Sequence, residues 1–170
     1  MIDRIVRAAK LDTALYEEVE HDKGANWQAF WIVVLSGLAA GLGGARAGPG
    51  GLIAGIAVAL GLWLLWAGIT LLVGTKLLSG PATQANYGQL MRTLGFAAAP
   101  GLIRVIGIIP FLYGITSLVA SIWMLLATIV AVQTALDYKD VWRATVVVLV
   151  GWIIMLVVSL VFNIRVIGFR

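Results

Sequence analysis

Five apolar stretches, residues 27–45, 51–74, 89–109, 114–136 and 144–162, take up most of the chain. A helix crosses the roughly 30 Å hydrocarbon layer of a bilayer in about 20 residues. Inside that layer every backbone N–H and C=O must be satisfied within the fold, which leaves helices or a closed barrel. Runs of this length and apolarity predict an all-α fold, a polytopic membrane helix bundle of five transmembrane helices forming one domain over residues 27–164. A charged segment, residues 1–26, precedes it, and a short tail, residues 165–170, follows. Composition agrees: 61% of residues are apolar and 12% charged, against roughly 45–50% and about 25% in soluble domains. The absence of cysteine excludes disulfides, thiolate metal sites and a cysteine nucleophile. The start lacks the apolar core and cleavage site of a signal peptide, so the mature chain is expected to begin at Met1.

Charge sets the expected orientation. With the N-terminus inside, Arg4, Arg7, Lys10, Lys23, Lys76, Arg92, Lys139 and Arg143 lie on the inner side, and Arg46, Arg165 and Arg170 on the outer side, with Arg104 nearer the outer one. That bias follows the positive-inside rule. Were residues 89–109 a re-entrant hairpin, Lys139 and Arg143 would fall outside, so the charge distribution favours five spans. The same bias accounts for the net charge of +4 without nucleic acid as a partner. The first residues form a different element: at helical spacing Ile2, Ile5, Val6, Ala9 and Tyr16 share a face, predicting an amphipathic helix on the inner membrane surface. Asp12 is placed to cap a second short helix. The acidic cluster Glu17, Glu18, Glu20 and Asp22 reads mainly as a solvated face, with docking against basic loops or a partner as the other reading.

The spans carry little chemistry. No aspartate or glutamate occurs from Lys23 to Leu136, or from Val141 to Arg170, whereas proton relays and many intramembrane ion sites rest on buried carboxylates or histidines. The single histidine, His21, precedes the first span and reads as a surface residue. Ser36, Ser117, Ser121 and Ser159 have no base at their depth to activate them, and no glycine-rich phosphate loop is present. The sequence therefore predicts no catalytic residue, no metal site and no cofactor. The tryptophans within spans, Trp63, Trp66, Trp123 and Trp152, read as packing or lipid-facing residues, and Trp27, Trp31 and Trp142 as interfacial anchors. Gly37 and Gly41, and Gly51 and Gly55, are spaced to place small residues on one helix face; packing within the chain is the main reading and self-association the other.

Residues 92–110 stand apart, because Pro100 and Gly101 break the third apolar run and Arg104 follows. Arg104 shares a helical face with Ala97, Pro100, Gly101 and Gly107. Without a carboxylate at its depth, its candidate partners are carbonyls freed near Pro100, Asn163, or a lipid phosphate. Arg104 and Asn163 are thus the expected structural or lipid anchor, and Pro100 and Gly101 the expected helix break.

Four segments, "RIVRAAKLDTALYEEVE", "GLWLLWAGITLLVGTKLL", "YGQLMRTLGFAAAPGLIRVIGIIP" and "IWMLLATIVAVQTALDYKDVWRATVVVLVGWII", occur in an order in which the chain resembles the YIP1 family, in its compact bacterial branch. The resemblance implies five membrane helices, a cytoplasmic N-terminus and a non-enzymatic protein. Eukaryotic relatives act in vesicle trafficking and contact small GTPases and one another, a role tied to a long N-terminal region that is reduced here to about 23 residues. The expected function is that of an integral membrane protein working through protein or lipid contact: a scaffold, membrane-organising factor or accessory subunit of a larger complex. The expected location is the bacterial inner membrane, with the C-terminus outside. A passive channel or uncoupled transporter using the Pro100–Gly101 break, and a lipid-binding or lipid-rearranging protein using Arg104, are the alternatives.

Overall fold

The structure, a computed structural model, describes residues 1–43, 49–80 and 83–168. Among these it is helical with no strand: α1 (Ile2–Ala9), α2 (Thr13–His21), α3 (Ala25–Gly43), α4 (Pro49–Leu72), α5 (Tyr87–Phe96), α6 (Tyr113–Ala135) and α7 (Val141–Gly168). Five segments, Ala25–Leu42, Gly55–Leu77, Tyr87–Ile108, Tyr113–Ala135 and Val141–Val158, are long and apolar enough to cross a membrane. Most of the expected turn over residues 46–50 lies outside the described residues; Pro49 and Gly50 open α4.

The bundle is built as lipid requires. Large apolar side chains such as Ile53, Leu62, Leu118, Ile153 and Leu156 point outward, where acyl chains take the place of water. The interior is lined by small residues, among them Ala29, Ala67, Ala120, Ala127, Ala131 and Ala144, which let helix backbones come close. Gly37 meets the Cβ of Ala59 and Gly41 the side chain of Leu52, so both sit in the α3–α4 contact. Among the described residues none lies within 4 Å of a Cβ placed on Gly55, and the surroundings of Gly51 lie outside those described.

Helix ends differ from the apolar limits because hydropathy marks the depth of lipid and capping marks the helix. α5 starts at Tyr87 because Asn86 and Gln89 form a reciprocal capping box, satisfying two amides that a first turn leaves free. α7 continues to Gly168, past the expected end at residue 162, as no proline or glycine intervenes. α4 closes through a π turn, Val73–Leu77, and the hydroxyl of Tyr138 lies within bonding distance of the carbonyls of Gly74 (2.9 Å) and Leu78 (2.7 Å), which share its one hydrogen.

The third stretch is broken as its proline dictates. α5 stops at Phe96, and a 3-10 helix runs from Ala99 to Ile108 with Pro100 in its first turn. Proline lacks the N–H of an interior helical residue. Runs of 3-10 helix seldom exceed four residues; this one, ten residues long, is wedged between α3 and α6. Gly101 makes that possible, since a Cβ there would collide with the Ser36 hydroxyl and lie 2.9 Å from the Met124 sulfur.

The N-terminus departs most from expectation. It is a helical hairpin docked on the bundle, with α2 against α5 and α6 and α1 against the 3-10 helix. Leu11, in the left-handed region at φ 61°, reverses the chain, and the Asp12 carboxylate accepts from the Ala14 amide at 3.0 Å to start α2. The reversal sets the two helices' faces independently, so the single expected face does not exist. Ala8, Leu15, Tyr16 and Val19 are buried, while Ile2 is 79% exposed.

Candidate functional site

The spans alternate in direction, so the start of α3, the end of α4, the start of α5, the end of α6 and the start of α7 share one end of the bundle with the hairpin. That end gathers nearly all the ionisable side chains, and Arg92 is at its centre. Arg92 projects from α5 and is only 6% exposed. Its Nε donates to the Val19 carbonyl (2.9 Å), Nη2 to the Glu20 carbonyl, and Nη1 to Asn26 Oδ1 (3.2 Å). The last carbonyls of a helix have no intrahelical partner and carry the negative end of its dipole. A planar guanidinium with forked donors suits that position, and an ammonium does not. One side chain thus caps α2 and ties it to α5 and α3.

Gln89, one turn before Arg92, works in both directions. Its Oε1 accepts from the Asn86 amide (2.7 Å) and its Nε2 donates to Glu20 Oε1 (2.9 Å). Glu20 is 3% exposed, and burial pushes its carboxyl above the ordinary carboxylate range.

Two further members of the acidic cluster, Glu18 and Asp22, pair with α1, while Glu17 is exposed. Arg4 forks onto Glu18 Oε1 (2.9 and 2.6 Å) and reaches Asp22 Oδ2 (2.9 Å), and Arg7 spans Asp12 Oδ2 and Glu18 Oε2 (both 2.8 Å). These are bidentate or bridging charge-assisted bonds within the hairpin; Glu18 makes them while remaining exposed, and Glu17 keeps the solvated position expected of it. Arg7 holds the Asp12 carboxyl below its usual range, Arg7 and Arg4 do so for Glu18, and Arg4 for Asp22. The carbonyl end of α1 is closed from the bundle and from α2, by the Trp123 indole donating to Ala9 (2.7 Å) and the Tyr16 hydroxyl to Ala8 (3.3 Å).

These shifts predict a pH optimum for the folded protein. Depressed carboxyls contribute stability that is present above their unfolded values and lost as pH falls through the folded ones, so Asp12, Glu18 and Asp22 lose theirs below about pH 4. Glu20 is raised, and His21 is raised by its bond to the Glu17 carbonyl and by Glu20; both bind protons more tightly when folded, so stability falls as pH rises through their folded values. The melting temperature in detergent is expected to peak near pH 5, with a shallower alkaline decline in Glu20→Gln. A profile flat from about pH 5 to 8, or the same slope in both proteins, contradicts this assignment.

Arg104 is held by neutral groups. Its Nη2 donates to Ser121 Oγ (3.2 Å) and its Nη1 faces Met124 Sδ (3.3 Å), both on α6. The bonds described for Arg104 are to these side chains; carbonyls near Pro100 are not among its partners, and the side chain of Asn163 lies outside those described. A polar cleft of about 550 Å³ beside the hairpin is lined by Glu17, Glu20, His21, Gln133 and Asp137. No group of three His, Asp or Glu side chains placed to hold a metal occurs among the described residues.

Sequence reasoning missed Arg92, Gln89, Glu20 and Trp123 as joining residues. One signal was available: the Asn86-x-x-Gln89 box fixes the start of α5 and puts Gln89 and Arg92 on one face.

The chain has no match among curated proteins or among solved structures. The family model described as the Yip1 domain matches residues 13–162, from the first residue of α2 to the last turns of α7. With all five apolar spans and the docked α2 inside that match, the chain belongs to the Yip1 domain family.

Proposed function

We propose that this protein is a non-enzymatic interaction protein of the bacterial inner membrane, a scaffold or accessory subunit that presents the hairpin end of its bundle to a membrane-protein partner. The observation that carries this reading is the docked, internally ion-paired hairpin: charge is concentrated and fixed at one end of a bundle whose described spans hold no carboxylate or histidine. By the positive-inside bias this end is cytoplasmic and the C-terminus lies outside. Arg104 serves in this reading as an anchor of the 3-10 helix on α6. The channel alternative is less well supported, since Gly101 packs on Ser36 and Met124 at the break.

Purification in mild detergent with crosslinking and mass spectrometry tests the proposal. A partner recovered at fixed stoichiometry from wild type, and lost in Arg92→Met, is expected. A monodisperse lone chain with no crosslinked neighbour, or solute flux into liposomes abolished by Arg104→Ala, counts against it.

A further inference from the structure

A groove of about 500 Å³ opens between the first turns of α3, the middle of α4 and the start of α5, within the roughly 300–1,000 Å³ of ligand clefts. Its walls are apolar, formed by Phe30, Leu60, Leu64 and Met91 around Trp63. The polar tip of Trp63 is already used, as its indole N–H donates to the Met91 carbonyl at 3.0 Å, so only ring surface faces the groove. The mouth has a different chemistry. Lys23 is exposed there, and no described ion pair involves it; the neighbouring Asp22 is taken by Arg4. Asn26 also lines the mouth. Because its Oδ1 accepts from Arg92, the group it can offer is its NH2. Both polar side chains at the mouth are therefore donors, which selects an anion.

An aromatic collar marks the depth of this mouth. Trp27 stacks on Phe30 at 5.0 Å, and Trp31 meets both rings edge-on at 5.6 and 5.5 Å. Trp27 is 63% and Trp31 40% exposed, and tryptophan in this setting belongs at the membrane–water interface. Outside the collar, Leu35 and Leu65 are exposed on the flanking spans, so the groove opens sideways to lipid. Trp63 also lines a separate, smaller cavity of about 250 Å³ beside Ala97 and Ala98, at the helix break.

We infer that this groove seats one anionic phospholipid, its phosphate on the Lys23 ammonium and the Asn26 amide and one acyl chain running between Phe30 and Leu64 toward Trp63. The charge at the mouth and the apolar run behind it match the two ends of such a lipid, and the site stands independently of any protein partner. Native mass spectrometry of the full chain in mild detergent, titrated with phosphatidylglycerol or phosphatidylcholine, tests it. Wild type is expected to retain one phosphatidylglycerol in preference to phosphatidylcholine. Lys23→Gln is expected to lower that preference roughly tenfold, the loss of about one charge-assisted bond, and Leu60→Trp, which fills the groove, to lower retention of both lipids. Lys10→Gln, which removes a basic residue away from the groove, is expected to change neither. Equal retention of the two lipids by wild type overturns the assignment. So does unchanged phosphatidylglycerol retention in Lys23→Gln, in which an exposed side chain is changed without altering the fold, or an equal loss of preference in Lys10→Gln.

Discussion

Arg92→Met is expected to detach the α1–α2 hairpin from the bundle while leaving the five spans helical. The methionine fills similar space and offers no donor, so the Val19 and Glu20 carbonyls and Asn26 Oδ1 all lose a partner. A buried polar group left unmade costs roughly 1–3 kcal/mol. With two carbonyls at the buried end of α2, the loss is about 2–6 kcal/mol, a large share of the roughly 5–15 kcal/mol that holds a typical protein folded. Glu20 raises the cost further, since it is buried beside Arg92 and keeps only the Gln89 bond. Hydrogen exchange by mass spectrometry provides the measurement: residues 1–24 should lose protection and the spans should keep theirs. Arg92→Lys should recover only part of it, because one ammonium cannot reproduce the fork that bridges two carbonyls and an amide. Unchanged protection of α2 in Arg92→Met would show that the apolar contacts of Leu15, Tyr16 and Val19 are enough to dock the hairpin, and the guanidinium would then be a passenger.

The membrane bundle was legible because its controlling variable is in the sequence: lipid thickness sets the run length, and lipid excludes acids. The break at Pro100 was legible for the same kind of reason, as a missing N–H is a local property. The joining residues were not, because their meaning depends on contacts between residues 66 to 114 positions apart. Arg92 sits beside an apolar run, where a positive charge is already explained by topology, so nothing local marks it as buried. Glu18 and Asp22 lie in a charged stretch that also holds Arg4 and Arg7, and it takes the reversal at Leu11 to show that these charges face each other. Arg104 illustrates the opposite limit. The absence of acids at its depth was readable, yet the groups that hold it, Ser121 and Met124, are neutral side chains of a helix whose rotation the sequence does not fix. Glycine spacing behaves likewise: it puts Gly37 and Gly41 on one face but does not say that Ala59 and Leu52 lie opposite, or that Gly55 meets none of the described residues.

Gly95→Val is expected to destabilise the protein by about 3 kcal/mol, at the upper end of the cost of overpacking a core. A Cβ at Gly95 would lie 2.6 Å from the Cβ of Ala29 and 3.1 Å from its Cα, so α3 itself must move, and a rotamer change cannot relieve the contact. α3 is held on its other sides by α4 and by the 3-10 helix, which leaves it little freedom to retreat. Thermal unfolding in detergent reads the effect, and a pair of smaller changes identifies its cause. Gly95→Ala should destabilise alone and be rescued by Ala29→Gly, with a coupling of about 0.5–3 kcal/mol as expected of residues in direct contact. Gly61 supplies the contrast, as a Cβ there meets nothing within 4 Å. Gly61→Val should therefore leave the melting temperature nearly unchanged. If the two valine variants melt alike, the cost comes from losing a glycine in a membrane helix generally. If only Gly95→Val is unstable and Ala29→Gly rescues the alanine variant, the α3–α5 contact beside the Arg92 clamp is fixed by the absence of one side chain.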